Sequence, residues 1–224
     1  EDGIRDLVRS LGSEMCIRDS IITVLAAILL PVFSAARERA RRTSCLSNIS
    51  QIMRAIQMHA SDYNGQIPHT ASATNEMWDG DSGEKVGLGK LEPYTGDMRI
   101  FFCPSANGFE KYADETGLQN WKIEEPGKDV FSSYLYRGPN YGAYTSVEAN
   151  VGWENSEENQ VISALVIDFN ADVPGGLQCS AHGGKWANVG YADGSAKALP
   201  NTDNRFTITN TFADYDRVFR NADR

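Results

Sequence analysis

The residues best suited to chemistry lie toward the end of the sequence, where Asp168, His182 and Asp193 follow or interrupt short apolar runs. Two carboxylates and an imidazole can hold a metal ion if the strands that carry them are neighbours. Calcium prefers roughly six to eight oxygen ligands, and zinc prefers more nitrogen and sulfur than this set offers. We therefore predict a structural role, with His182 hydrogen-bonded to Asp168 or to the backbone, ahead of a metal site. Calcium is the cofactor left open.

No group of residues in the sequence forms a catalytic motif. Ser180 and Ser195 lie outside any known nucleophile motif, and no glycine-rich segment carries the lysine and hydroxyl residue of a phosphate-binding loop. His59 falls on a predicted helix and His69 in the loop after it, so His182 is the one plausible general base. We expect no enzymatic activity.

The four cysteines, at positions 16, 45, 103 and 179, are too far apart for a CxxC zinc motif. The sequence leaves their pairing open. In an exported protein, a disulfide such as Cys45 to Cys103 would tie the helix to the domain that it supports. The alternative is a set of isolated, buried thiols, since free cysteine is commonly buried.

The charge pattern excludes general nucleic-acid binding. The 224 residues carry a net charge of -9, with a pI near 4.9, whereas phosphate contacts need clustered basic residues. The basic residues are concentrated in 37–54, where five arginines stand against one glutamate for a net charge of +4. The rest of the chain therefore carries -13, and we expect an acidic body beside a basic segment.

One long helix is predicted over residues 21–64. In its second half apolar residues recur every three or four positions, which is helical periodicity, and Gly65 and Pro68 predict its end. The 13 uncharged residues Ile21 to Phe33 fall short of the roughly 20 that span a bilayer. We interpret 21–36 as the half that enters a membrane or a fibre core, with assembly contacts at Leu25, Ile28, Leu29, Pro31 and Phe33.

Alternatives exist for this first half. The apolar run is also compatible with a secretory signal that is cleaved after Ala36, and the arginines with a solvated helix face. We favour the continuous helix because the helical pattern passes Ala36 without a break. Residues 1–20 read differently: their run LGSEMCIRDS resembles a translated sequencing adapter, so we interpret 1–20 as a non-native leader.

Residues 65–224 are predicted to form a globular, β-rich domain with long loops. Strands are expected within Leu91–Pro104, at Val130–Tyr136 and at Val161–Asp168, and the last of these is taken as a central strand against the helix. Asp193-Gly194 between two apolar runs predicts a hairpin of strands 187–192 and 196–199. We also predict a further strand at 205–208 and a closing helix near 213–219.

Several of these segments together resemble a known family. The run AAILLPVFSAARERARRTSCLSNISQI, residues 26–52, is similar to the N-terminal helix of type IV pilin-like proteins and type II secretion pseudopilins. Residues 101–105 match that group's Phe-x-Cys-Pro-Ser signature through Cys103, Pro104 and Ser105. The group also ends in His, nine residues, then Asp-Gly. Here ten residues separate His182 from Asp193-Gly194.

The resemblance implies an α+β, pilin-like fold, with a long N-terminal helix packed on a small antiparallel sheet. It implies a structural subunit of a filament or secretion pseudopilus, anchored in the inner membrane by one helix with its body outside the cytoplasm. Its partners would be other pilin-like subunits and the inner membrane, and no nucleic acid. In the family a prepilin peptidase cuts and methylates the precursor at a Gly-Phe-Thr-Leu-Ile-Glu type site, which this sequence lacks.

A second function remains open from the residues alone. A membrane-tethered or secreted binding protein could hold a carbohydrate or a metal in a pocket around Trp186, Tyr191 and His182. Aromatic rings suit sugar faces, but they more often pin loops to their own domain.

Overall fold

The computed structural model describes the backbone of residues 2–69, 75–80, 82–106, 129–138, 154–155, 160–161, 164–172, 178–209 and 213–223. Side chains of residues 2–17, 154–155, 160–161, 178, 213 and 216 are outside that description. The chain divides into two compact units, residues 1–40 and 41–224. The elements are α1 (Asp2–Asp62), β1 (Glu76–Asp79), β2 (Glu84–Lys85), α2 (Glu92–Thr95), β3 (Val130–Phe131), β4 (Tyr134–Tyr136), β5 (Glu154–Asn155), β6 (Gln160–Val161), β7 (Ala164–Asp168), β8 (Ala171–Asp172), β9 (Gln178–Cys179), β10 (Trp186–Tyr191), β11 (Ala196–Pro200) and α3 (Ala213–Asp223).

The long helix is present, and its end lies where the sequence predicts. Asn64 and Gly65 have φ values of 55° and 83°, and the amide of Gly65 donates to the carbonyl of Ala60 at 2.7 Å. The helix begins at Asp2 rather than near Ile21, since residues 2–20 contain no proline to stop it. It also continues through Pro31.

The first unit exposes its apolar side chains. Nine large apolar residues between Ile21 and Phe33 are 53% to 70% exposed. An 18-residue window of the helix Arg18–Asp62 is long and apolar enough to cross a membrane, and none of it is buried. The expectation that this run is too short to span was therefore too strict, because the uncharged stretch extends beyond the run at both ends, from Ser20 to Ala36. The segment is compatible with a single membrane span or a signal anchor.

The second unit is built on a four-stranded antiparallel sheet in the order β11-β10-β7-β4. Ile49, Ile52, Met53 and Ile56 of α1 are fully buried in one core cluster, which includes residues of β4 and β7. A second cluster joins the other face of the sheet to α3. The sheet therefore lies between α1 and α3. Burying each of these large side chains stabilises the folded state by about 1.5–3 kcal/mol. This α+β arrangement is the predicted fold class.

The smaller elements agree with the sequence only in part. The hairpin is confirmed, with Gly190 paired to Ala196 around the Asp193-Gly194 turn. The closing helix is also present, as α3. The predicted strand Val130–Tyr136 is divided between β3, which pairs with β1, and β4 of the four-stranded sheet. The prediction of a strand within 91–104 is wrong, because that segment forms α2 and a 3-10 helix at Met98–Phe101. The segment 205–208 makes only an isolated bridge, Ile208 to Ala171.

Candidate functional site

Four side chains with metal-ligating atoms meet under the helix: Cys45, Cys103, Asp168 and His182. All four are buried, and one ligand atom from each lies within 4.8 Å of the others. They come from four separate parts of the chain, α1, the loop after the 3-10 helix 98–101, the end of β7 and the turn before β10. Only the tertiary fold brings them together.

The floor of the site is a row of residues across three adjacent strands. Tyr134 of β4 is the register partner of Asp168 of β7, and the amide of Asn188 in β10 donates to Asp168 Oδ2 at 2.6 Å. Side chains alternate between the two faces of a strand. Val166 therefore shares the face of Asp168, and it belongs to the core cluster that contains α1. The three polar residues of the row consequently lie on the helix-facing side.

Cys45 contributes its thiol to the site from α1, on the side opposite the sheet. It lies four residues before Ile49 on the buried stripe of α1, so the same periodicity that packs the helix turns this thiol toward the sheet. Its Sγ donates to Asp168 Oδ1 at 3.0 Å and lies 3.3 Å from Tyr134 Oη.

Cys103 is fixed through the backbone around it. Its amide donates to Ser133 Oγ, and the hydroxyl of Ser132 donates to the carbonyl of Phe101 at 2.8 Å. These bonds tie the segment to the start of β4. The amide of Ser105 donates to Cys103 Sγ at 3.4 Å, and the same sulfur lies 3.5 Å from His182 Nε2.

His182 is held in an unusual backbone conformation. It has a φ of 51°, and Gly183 and Gly184 follow with 61° and 69°. A positive φ at a residue other than glycine is uncommon and costs energy, so the surrounding contacts must compensate. The ring Nε2 lies 3.4 Å from Asp168 Oδ2 and 3.0 Å from Asn188 Nδ2. The turn thereby directs one ring nitrogen at the cluster.

The cluster shifts the proton affinities of its members in different directions. Burial raises the pKa of Asp168 to about 7, and the negative charge of Cys103 adds to that rise. The hydrogen bond from Cys45 is the main cause that lowers the pKa of Cys103 to about 6, with His182 as a further cause. Burial raises the pKa of Cys45 well above its usual value. Cys45 has one thiol proton, for which Asp168 and Cys103 compete as acceptors.

This chemistry is soft and anionic: two sulfur ligands, one imidazole and one carboxylate. Such a set suits zinc and related transition ions rather than calcium, which prefers oxygen alone. A nucleophilic function would need access for a substrate, but all four side chains are buried.

The comparisons bear on the helix and the loop that follows it. Residues 34–83 match one family model. It is described as "Protein of unknown function (DUF1559)", and such a family is typical of pilin-like and pseudopilin-type proteins. The match covers 50 of 224 residues, less than a quarter of the chain. No curated protein and no solved structure matches this chain.

The matched segment contains Cys45 but ends before the predicted motif residues. Cys103, Pro104 and Ser105 form the loop described above, and His182, Asp193 and Gly194 belong to the turns on either side of β10. The His-nine-Asp-Gly motif is not shown by the match. The family signature therefore stays a prediction.

Asp193 does not join Asp168 and His182. It is exposed, and its Oδ1 accepts from the amide of Ser195 at 2.8 Å within the hairpin turn. Hydrogen bonds from Ser195 lower the pKa of this carboxyl. Gly194 takes a φ of 86°, which the turn requires. Asp193 is thus a turn residue, as its structural interpretation predicts. The predicted contact of His182 with Asp168 is present. The predicted third member of the group, Asp193, is not in the cluster, and Cys45 and Cys103 are its other members.

The structure places Cys45 and Cys103, the two cysteines of the predicted disulfide, close to each other. Their sulfurs belong to one cluster, but the structure has Cys45, Cys103 and Cys179 as free thiols, and the side chain of Cys16 lies outside the described residues. The disulfide therefore stays a prediction. A signal for the site was present in the sequence: Cys45 follows the phase of the buried helix stripe, and Cys103 directly follows two phenylalanines.

The rings of Trp186 and Tyr191, around which we predicted the alternative binding pocket, have contact partners in the body. The guanidinium of Arg42 lies 4.0 Å from the ring centre of Trp186, and the hydroxyl of Tyr191 donates to the carbonyl of Ala222 at 3.3 Å. Both aromatic side chains thus serve contacts within the body. A cavity of about 610 Å³ is lined by Gly183, Gly184 and Lys185, which lie between His182 and Trp186 in the chain, and by polar residues that include Asn170, Ser180, Asn201 and Thr207.

A second acidic group lies in the three-stranded sheet, where Glu76, Asp79 and Asp129 bring carboxylate oxygens within 4.8 Å of one another. Two of these residues already accept backbone hydrogen bonds, Asp129 from Gly80 and Asp79 from Ser82. Calcium wants roughly twice as many oxygens as three carboxylates offer with one ligand each.

Proposed function

We propose that this chain is a structural subunit of a pilin-like, membrane-anchored assembly outside the cytoplasm, such as a filament or a secretion pseudopilus. The observation that carries the proposal is the change along α1. Nine large apolar side chains between Ile21 and Phe33 are exposed, whereas Ile49, Ile52 and Ile56 further along the same helix are fully buried. A helix segment that is apolar on all sides requires a cover of lipid or of other helices.

The chemistry around this segment fits a membrane anchor. Arg37, Arg39, Arg41 and Arg42 follow the apolar run directly, as basic residues do at a membrane surface with anionic headgroups. The family match over residues 34–83 supports a pilin-like, extracytoplasmic protein. The proposed location is the inner membrane, with the body in the periplasm or at the cell surface.

The proposed action is mechanical. Before assembly, the apolar half of α1 lies in the inner membrane. In the assembled state, neighbouring copies replace lipid contacts with helix packing through residues such as Leu25, Ile28, Leu29 and Phe33. The partners would be other pilin-like subunits, together with a prepilin peptidase acting on the native precursor. No role for nucleic acid is proposed.

Site-specific crosslinking in membranes tests this proposal, with the chain from Ile21 onward placed behind a pilin-type leader in a host that has the prepilin peptidase. Single cysteines would replace Leu25 or Leu29, which are 53% and 57% exposed. The matched control is Thr202→Cys, an exposed position on the body. A short thiol crosslinker should produce ladders of dimers, trimers and higher species from the helix positions and mainly monomers from Thr202→Cys.

Two outcomes would contradict the proposal. One is a protein that carbonate releases from the membrane fraction while circular dichroism shows an intact fold, because this would remove the anchor. The other is a chain that stays in the membrane but gives monomers or dimers alone at both helix positions, because a filament subunit needs contacts that propagate.

A further inference from the structure

We propose that Cys45, Cys103, Asp168 and His182 form a binding site for one zinc ion that locks α1 to the sheet. The proposal is independent of whether the chain assembles into filaments. It rests on the buried convergence of four ligand atoms, on their separations and on the donors that surround them.

Two of the separations between ligand atoms match the edges of a tetrahedral zinc site. Zinc bonds of about 2.3 Å to sulfur and about 2.0–2.1 Å to nitrogen or oxygen imply tetrahedral edges of about 3.5 Å between sulfur and nitrogen and about 3.4 Å between nitrogen and oxygen. The corresponding distances are 3.5 Å from Cys103 Sγ to His182 Nε2 and 3.4 Å from His182 Nε2 to Asp168 Oδ2. Cys45 Sγ is closer to Asp168 Oδ1, at 3.0 Å, and would move outward slightly as the ion enters.

Each anionic ligand also has its own hydrogen-bond donor. Tyr134 Oη lies 3.3 Å from Cys45 Sγ, the amide of Ser105 donates to Cys103 Sγ, and the amide of Asn188 donates to Asp168 Oδ2. Zinc with two thiolates, one carboxylate and one neutral imidazole carries a net charge of -1. Outer donors of this kind orient the ligands of metal sites and offset their negative charge.

A disulfide between Cys45 and Cys103 is the competing state. It would use the two sulfurs but neither the imidazole of His182 nor the carboxylate buried beside both thiols. A bound ion would take His182 Nε2 in place of the hydrogen bond that this nitrogen makes with Asn188 Nδ2 at 3.0 Å. An ion uses all four groups. As it binds, whatever protons Cys45, Cys103 and Asp168 still hold pass to the buffer, and the zinc–sulfur and zinc–oxygen bonds form with no change in oxidation state.

The site and the helix anchor have a physical connection. Cys45 is at the start of the buried stripe of α1, and the other three ligands belong to the sheet domain. A bound ion would therefore cross-link the helix to the sheet at the point where the first buried turn begins. The expected consequence is that zinc raises the stability of the body.

The test uses the full chain in detergent, purified under reducing conditions and stripped with a chelator. Zinc alone and cobalt alone are the probes. We expect one ion per chain, the visible bands of tetrahedral cobalt with a near-ultraviolet sulfur-to-cobalt band, and a higher thermal midpoint with zinc. Cys45→Ser and Cys103→Ser should each remove most of the sulfur-to-cobalt absorption, and Tyr134→Phe should weaken binding about 10–100-fold.

Two matched controls keep the result specific. Cys179→Ser changes a buried thiol outside the cluster, and Asp193→Asn changes an exposed carboxylate outside it, so both should bind the ions like the parent. If either serine variant of the cluster fails to fold, His182→Gln provides a further variant with the same expected loss of binding.

Three results would overturn the proposal. The first is a folded, reduced chain that takes up neither ion. The second is ion uptake that Cys45→Ser and Cys103→Ser leave unchanged. The third is a chain isolated without reductant in which mass spectrometry finds Cys45 joined to Cys103 and no zinc, because this would assign the cysteines to the disulfide.

Discussion

At the scale of single residues, close packing between α1 and the sheet depends on one glycine. A Cβ added to Gly190 in β10 would lie 2.7 Å from Cγ2 of Ile49 and 2.7 Å from Cγ of Met53. These separations are far below van der Waals contact, and both atoms lie close to the helix backbone rather than at a flexible tip. The helix therefore approaches the sheet as closely as a missing side chain permits.

Gly190→Ala is expected to destabilise the body by about 1–3 kcal/mol, because the added methyl overpacks the interface. Met53→Ala alone should cost about 2–5 kcal/mol through the cavity that it leaves. In the double variant the added methyl fills part of the cavity, and the cavity relieves part of the overpacking. The loss of unfolding free energy in the double variant should therefore be smaller than the sum of the two single losses by at least about 0.5 kcal/mol. Denaturant unfolding of all four proteins measures this coupling. Strictly additive losses would contradict the packing argument.

A buried histidine near the end of α1 gives the body a dependence on pH. Burial is the main cause that lowers the pKa of His59, and the neighbouring Lys90 also lowers it. The carbonyl of Gln66, 3.1 Å from His59 Nδ1, and Asp62 act in the opposite direction.

The folded protein therefore takes up the His59 proton less readily than the unfolded chain. Its contribution to stability is complete above the unfolded pKa, about 6.5, and is lost as the pH falls from there toward the lower folded pKa. His59→Asn should make the free energy of unfolding fall less between about pH 7.5 and pH 5. His69→Asn, at an exposed histidine whose charge also lowers the pKa of His59, is the comparison and should change the pH dependence less than His59→Asn does. Parallel curves for parent and His59→Asn would disprove this role.

At the scale of elements, α3 is attached to the sheet through a buried ion pair. Arg137 Nη1 donates to Asp223 Oδ2 at 2.8 Å, and these side chains are 5% and 2% exposed. The other carboxylate oxygen of Asp223 accepts from the amide of Ala164 at 2.8 Å, at the start of β7. The last turn of the helix thus joins the residue after β4 to the neighbouring strand.

Arg137→Met is expected to destabilise the body by about 3–5 kcal/mol, because it leaves the carboxylate of Asp223 buried without its guanidinium partner. The matched control is Arg99→Met. Arg99 pairs with Asp97 at a similar 2.7 Å, but the side chains are 73% and 42% exposed, so solvent screens the pair and its removal should cost much less stability. Thermal unfolding in one buffer compares the two variants. Equal losses of stability would contradict the argument that burial makes the Arg137–Asp223 pair the more important one.

At the scale of the whole molecule, the two units have different requirements. Residues 41–224 bury their own core, whereas the unit of residues 1–40 exposes its large apolar side chains. The net charge divides differently, with +4 over residues 37–54, which lie on both sides of that boundary, and -13 over the rest of the chain. A single helix thus combines a segment that exposes its apolar side chains with the element on which the body is built. The crosslinking experiment tests the first segment, and the zinc experiment tests the second.

The sequence by itself determined the long helix, its end at Asn64-Gly65, the Asp-Gly hairpin, the closing helix and the α+β class. Each of these depends on local signals: helical periodicity, a glycine that accepts positive φ, or two apolar runs around a tight turn. The strands at 130–136 and 91–104 were harder to predict, because short apolar segments take their conformation from the partners available in space rather than from their own pattern.

The candidate site was decided almost entirely by the tertiary structure. Sequence reasoning placed His182 beside Asp168 and considered Cys45 with Cys103, but as two separate pairs, and it added Asp193, which lies in an exposed turn. The register of β4, β7 and β10 puts Asp168 on the helix-facing side, and the helix phase puts Cys45 over it. Residues 45 and 168 meet only after the helix has packed on the sheet, and no local pattern encodes a contact across that separation.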